Sequence, residues 1–129
     1  DVPVTDPMTA TITRLRSLDA RKIALLTPYI PSVTRTMSDK LVSEGFAIVA
    51  SGSFYEERES AVVRISQRSV LAAVEALAAE ADADAVFVSC TNLPTVDMLE
   101  EARKSTGVEV FSSNRALAWH LQEIAVGKV

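Results

Sequence analysis

The sequence predicts an α/β protein: a four-stranded parallel sheet in the order 2-1-3-4, flanked by helices. Four short apolar runs rich in β-branched residues alternate with longer amphipathic stretches. The runs are continuously apolar rather than apolar at every second residue, the habit of strands buried on both faces. Strand–helix alternation of this kind implies parallel strands joined by right-handed crossovers, and 2-1-3-4 is the natural doubly wound order.

The elements follow in chain order. Asp1-Val2-Pro3-Val4-Thr5 reads as the end of a strand, and Asp6-Pro7 opens a helix with Met8, Ile12, Leu15 and Leu18 along one side. The first full strand is Lys22-Ile23-Ala24-Leu25-Leu26-Thr27, closed by Pro28. Ser32 is the expected cap of a helix with Val33, Met37 and Leu41 inward, ended by Gly45. Phe46-Ala47-Ile48-Val49-Ala50 is the second strand. Ser66 is placed to cap a helix that buries Val70, Val74, Leu77 and Ala81. The third strand, Ala85-Val86-Phe87-Val88-Ser89, runs straight into Cys90. A helix is expected directly after Asn92, with Pro94 in its first turn, Asp97 near its positive end, and Arg103 and Lys104 near its negative end. Val108-Glu109-Val110-Phe111 is the fourth strand. Ser113 or Asn114 then starts a helix with Leu117, Leu121 and Ile124 inward.

The opening repeats the close. With Val2 set against Val108, Val4 falls on Val110, Ala10 on Ala116, Leu15 on Leu121 and Leu18 on Ile124. This register divides the chain into residues 1–20, the end of a preceding repeat (strand end plus helix), and residues 21–129, a second α/β lobe. The opening helix then needs a cover for its apolar stripe, either a missing N-terminal lobe or another copy in a homo-oligomer.

Composition narrows the function classes. Apolar residues at 48% and charged residues at 23% are ordinary for a globular domain. Lys+Arg number 13 against 17 Asp+Glu, a net charge of −4, which is the wrong sign for a general nucleic-acid surface. No apolar run approaches the roughly 20 residues of a membrane span, so no membrane association is expected. One cysteine cannot make an intrachain disulfide, so a reducing, cytoplasmic setting is expected. One Cys and one His leave no metal-ligand spacing, and the four glycines form no phosphate loop.

In an open parallel sheet, ligands bind beyond the carboxyl ends of the strands. Those ends carry Thr27-Pro28-Tyr29, Ser51-Gly52-Ser53, Ser89-Cys90-Thr91-Asn92 and Ser112-Ser113-Asn114. Small hydroxyls, amides, a phenol and the only thiol thus converge on one edge. Cys90 has two readings: an inert buried thiol packed as a small hydrophobe, or a thiolate favoured by a helix N-terminus. The backbone N–H groups of Thr91 and Asn92 would cradle a substrate carboxylate in the second case. Tyr29, between Pro28 and Pro31, either covers the core or donates its hydroxyl to a substrate oxygen. Asn92 and Asn114 read as helix caps that could also face a ligand. His120, far along its helix, reads as a packing or surface residue. Glu56-Glu57-Arg58-Glu59 reads as a solvated loop placed where a lid could sit.

At these residues the chain resembles the maleate cis-trans isomerase and arylmalonate decarboxylase branch of the aspartate/glutamate racemase superfamily. The likeness runs through Leu26-Thr27-Pro28-Tyr29, Val63-Arg64-Ile65-Ser66, Phe87-Val88-Ser89-Cys90-Thr91-Asn92-Leu93, and Ser112-Ser113-Asn114 with Trp119-His120. Ser53-Phe54-Tyr55-Glu56-Glu57-Arg58-Glu59 is similar to the ectoine-utilisation members of that branch. The resemblance covers nearly the whole chain but only the second of the family's two repeats. It implies a flavodoxin-like lobe of a pseudo-symmetric two-lobe enzyme that isomerises, racemises or decarboxylates a small carboxylate without a cofactor.

The resemblance also implies two catalytic cysteines, one per lobe, with Cys90 matching that of the second lobe. Thr27, Tyr29, Thr91 and Asn114 match positions lining the carboxylate pocket. Two departures stand out. No first-lobe cysteine is present, and Glu59 falls where maleate isomerase-like members carry asparagine, which would disfavour a dicarboxylate substrate. Absent the partner thiol, this chain alone is expected to be inactive, and a non-catalytic carboxylate-binding module is the competing reading.

Overall fold

In a computed structural model of the chain, which describes residues 2–128, four strands pair in parallel in the order β2-β1-β3-β4. They are β1 (Lys22–Thr27), β2 (Ala47–Ser53), β3 (Ala85–Val88) and β4 (Glu109–Ser112). Register aligns Leu26 with Gly52 on one side and Val88 on the other, and Val88 with Ser112. All four strands therefore end at one edge. At the opposite edge, Asp84 accepts the backbone N–H groups of Arg21 and Lys22, each at 2.8 Å.

Alternation along the strands feeds two cores. Ala24, Leu26, Val86, Val88 and Val110 face α4 (Gln67–Glu80) and α5 (Leu99–Thr106), with the short α3 (Glu59–Val62) alongside. Ile23, Leu25, Ala85, Phe87 and Phe111 face α1 (Pro7–Ser17), α2 (Pro31–Ser43) and α6 (Ser113–Ala125). Phe87 and Phe111 stack there with ring centroids 5.4 Å apart. The result is a helix–sheet–helix sandwich. Burial on both faces holds for β1 and β3. β2 is instead an edge strand of alternating exposure, with a strand neighbour on one side only. It also runs on through Ser51-Gly52-Ser53, past the expected last residue Ala50.

Some helix ends fall where expected and others do not. Ser66 caps α4 through its hydroxyl, which accepts from Ser69 N–H at 3.1 Å. Ser32 is no cap: α2 already starts at Pro31, whose fixed φ suits the first helical position, and Ile30 is its N-cap. Val33, expected inward, is exposed, whereas Met37 and Leu41 of the same stripe pack against the core. The helix expected directly after Asn92 begins later, as a 3₁₀ turn at Val96–Met98 leading into α5. Pro94 disfavours helical backbone at Leu93 and so holds 91–95 irregular. α6 starts one residue after its cap Ser112, and its buried face is Ser113, Ala116 and His120, whereas Leu121 points to solvent.

The opening segment forms no strand among the described residues. Val2 and Val4 are each 86% exposed, and Asp1 lies outside the described residues. Asp6 caps α1, accepting from Met8 and Thr9 N–H at 2.9 and 3.0 Å. The stripe of α1 is covered within the chain, since Ala10, Ile12 and Leu15 join the core under Phe87 and Phe111. That stripe thus gives no reason for self-association.

Leu15→Ala should destabilise the chain by about 2–5 kcal/mol, as for a fully buried leucine, measured by urea unfolding. Asp6→Ala should cost about 1 kcal/mol. Hydrogen bonds from Thr9, hydroxyl first, hold the Asp6 carboxyl below the usual carboxylate range. Its stabilisation is therefore complete above about pH 4 and lost as pH falls through the lowered value. The difference between wild type and Asp6→Ala should shrink correspondingly in acid.

Candidate active site

The three loops leaving β1, β3 and β4 surround a cleft of about 240 Å³ whose lining includes Tyr29, Ser89, Cys90, Thr91 and Ser113. Each wall has a local cause. Thr27 closes β1 as a buried residue whose hydroxyl pairs with Thr34 at 2.7 Å and accepts the Tyr29 N–H at 3.3 Å, turning the chain sharply. The exit of β2 clamps that turn: Phe54 N–H donates to Thr27 O, Glu56 N–H to Pro28 O, and the Ser53 hydroxyl to Tyr29 O. Tyr29 is thereby held half-buried against the cleft.

Cys90 is 2% exposed, two residues past β3, and its thiol faces the cleft. Its Sγ accepts the Asn92 N–H at 3.2 Å. The helix-terminal dipole expected behind this thiol is missing, since α5 starts at Leu99. The Asn92 amide supplies a nearer but single donor, and being so engaged it is not an open donor for a carboxylate. Asn92 Nδ2 donates to Glu59 Oε2 at 2.6 Å, bringing that carboxylate to the Cys90 loop. Burial first, then the neighbouring thiol and the Glu59 charge, push the Tyr29 phenol well above its ordinary value. A neutral O–H donor thus stands beside the only sulfhydryl.

Of the residues singled out from sequence, Tyr29, Cys90 and Thr91 share the cleft wall. Thr27, Asn92 and Asn114 do not line it. Thr27 shapes the Tyr29 turn, Asn92 braces the Cys90 loop, and Asn114 Nδ2 donates to Thr91 O at 2.8 Å. Sequence reasoning missed the far wall, Asp6, Pro7 and Met8, together with Met37, against whose sulfur the Ser89 hydroxyl lies at 2.9 Å. Only the packing of α1 beside α6 brings that wall in, so no local signal marked it. No Lys or Arg lines the cleft. Among the described residues no cluster of His, Cys, Asp and Glu could hold a metal, and no helix is long and apolar enough to cross a membrane. His120 is buried and bonds Thr5 Oγ1 through Nδ1 at 2.7 Å, away from the cleft lining. A larger groove of about 370 Å³, lined by Arg14, Arg103, Glu109, Arg115 and Trp119, contains no nucleophile. The thiol and the phenol make the smaller cleft the candidate site.

A parallel α/β lobe with a lone thiol at its strand exits defines the class, and sequence comparison gives the family. Residues 1–128 match the arylmalonate decarboxylase family, to which this chain belongs. It is 31% identical to arylmalonate decarboxylase of Bordetella bronchiseptica, over 98% of this chain and 53% of that protein. It is 30% identical to maleate isomerase of Nocardia farcinica, over 87% of this chain and 45% of that protein. The chain thus spans about half the length of these curated relatives. The fold superposes on a Gly-to-Cys mutant of arylmalonate decarboxylase with a TM-score of 0.88, at 29% identity over 98% of this chain and 55% of that one. For the Nocardia farcinica maleate cis-trans isomerase bound to TRIS the TM-score is 0.90, at 28% identity over 95% and 50%.

The raised Tyr29 value is directly measurable. In a Tyr55→Phe variant, which leaves one tyrosine, phenolate absorbance should appear only well above pH 10. Cys90→Ala should bring that titration partly back toward the ordinary range, because it removes one cause of the shift but not burial.

Proposed function

We propose that this chain is the second lobe of a cofactor-independent enzyme that isomerises or racemises a small carboxylate, with Cys90 as one of two catalytic cysteines. The observation that carries the proposal is the pairing, in one cleft at the strand exits, of the only thiol with a phenol held neutral. Cys90 would exchange a proton with the substrate α-carbon, as the thiol when it donates and the thiolate when it accepts. Tyr29 O–H would donate to the carboxylate oxygen on which enediolate charge develops. Thr91 and Ser113 would complete a neutral carboxylate seat, with Thr27, Asn92 and Asn114 fixing its walls. A succinylcysteine intermediate has been captured in a cysteine mutant of the Nocardia farcinica maleate isomerase, 26% identical to this chain. That finding supports cysteine chemistry here.

Decarboxylation is the second reading, favoured by the match to arylmalonate decarboxylase over 98% of this chain. There the substrate C–C bond breaks, CO₂ leaves, and the Cys90 thiol protonates the enediolate carbon on one face. Both readings take a second lobe to complete the site. Glu59, bonded to Asn92 beside the thiol, disfavours a second carboxylate on the substrate.

Iodoacetamide should alkylate Cys90, and a bound small carboxylate should slow it. Glu59→Gln should strengthen protection by dicarboxylates more than by monocarboxylates. The chain alone should show no turnover. Joined to a first lobe it should turn over, and Cys90→Ala should then cost several orders of magnitude in kcat. Turnover surviving Cys90→Ala, or alkylation indifferent to every carboxylate, would defeat the proposal.

A further inference from the structure

The cations missing from the thiol cleft are gathered in the larger groove of about 370 Å³, beside the edge strand β4. Arg14 of α1, Arg103 of α5 and Arg115 of α6 line it together, and Glu109 is the one carboxylate among its lining residues. In a chain of net charge −4, that is a local excess of positive charge. Glu109 does not neutralise it. Its Oε1 is shared between Arg14 Nη2 and Arg103 Nε at 3.5 Å each, whereas Arg16 reaches Glu44 at 2.8 Å. Arg115 is exposed and pairs with no carboxylate among the described residues.

Two of the three guanidiniums are also held in place. Arg14 lies over the Trp119 ring, 5.0 Å from its centroid, and Arg103 Nε donates to Val110 O at 3.2 Å. Their side chains are only 27% and 30% exposed, so a ligand meets groups whose rotamer freedom is already spent. A network that merely pins β4 would account for Arg14, Arg103 and Glu109. It does not account for Arg115, a further cation on the same groove.

We infer that this groove is a second ligand site, which binds a small dianion through Arg14, Arg103 and Arg115. Three guanidiniums against one carboxylate leave two positive charges unbalanced. Guanidinium forks match the paired oxygens of phosphate and carboxylate alike, so the ligand is a phosphate monoester or a dicarboxylate. The groove shares no lining residue with the thiol cleft. The inference is therefore independent of the cysteine chemistry proposed above.

Trp119 is the only tryptophan, so its fluorescence reports on the groove in the 129-residue chain. Titration with inorganic phosphate, phenyl phosphate and succinate separates the two kinds of dianion, with acetate as the monoanion control. At least one dianion should change the emission saturably, bind more tightly than acetate, and weaken as salt is added. Arg115→Ala should weaken that binding roughly tenfold, the worth of one charge-assisted hydrogen bond. Its Tm should stay within about two degrees of wild type, as for an exposed residue. Glu109→Gln should tighten binding, because the competing carboxylate is gone. Calorimetry on the full reading frame that encodes this chain should reproduce the preference and the Arg115→Ala loss. No saturable change with any dianion, binding indifferent to Arg115→Ala, weaker binding in Glu109→Gln, or binding lost in the full protein would each overturn the inference. Cys90→Ala should leave the dianion titration unchanged, and Arg115→Ala should leave carboxylate protection of Cys90 unchanged, so the two sites can fail separately.

Discussion

Parallel strands cannot be joined by tight turns, so each must be carried back by a crossover before the next begins. Here that constraint sends every strand exit to one edge and every strand entry to the other. The entry edge is sealed by Asp84 on the N–H groups of Arg21 and Lys22. The exit edge is left with loops whose backbone groups the sheet cannot satisfy. They are satisfied by side chains instead: the Thr27 and Ser53 hydroxyls, the Asn114 amide and the Cys90 sulfur. The cleft is a consequence of that local accounting.

Its electrostatics are unusual for an anion seat. No cation lines it, and the nearest formal charges, Asp6 and Glu59, are negative. A carboxylate held there would depend on neutral donors, and the Tyr29 phenol, kept protonated by burial and by its neighbours, is the foremost of them. A donor aimed at the oxygen on which charge develops binds more strongly as the enediolate forms. The same surroundings give the Cys90 sulfur the Asn92 amide as donor and no cation in the cleft wall.

Helices α1 and α6 show how little an apolar stripe says about its partner. α1 finds a cover under Phe87 and Phe111. α6 carries an apolar stripe of its own, but beside α1 it buries Ser113, Ala116 and His120, with Leu117 partly buried against the same core. The buried histidine is accommodated because Thr5 bonds its Nδ1, and Arg14 over the Trp119 ring, 5.0 Å from its centroid, closes the neighbouring surface.

The sequence by itself determined the strands, their parallel order and the edge that carries Cys90 and Tyr29. Continuous apolar runs such as Ala85–Val88 permit burial on both faces only in a sandwiched parallel sheet, so that information is local and redundant. Only the tertiary structure decided where α5 begins, which face of α6 turns inward, and that Asp6, Pro7 and Met8 wall the cleft. Nor could spacing reveal that Asn92 braces the thiol and ties Glu59 to it, or that Asn114 holds the Thr91 carbonyl. Those contacts join residues distant along the chain, as in Asn92–Glu59 and Asn114–Thr91. A helix cap, a loop amide and a ligand-facing amide share one residue type. What separates them is the neighbour within hydrogen-bonding reach, and packing alone supplies that neighbour.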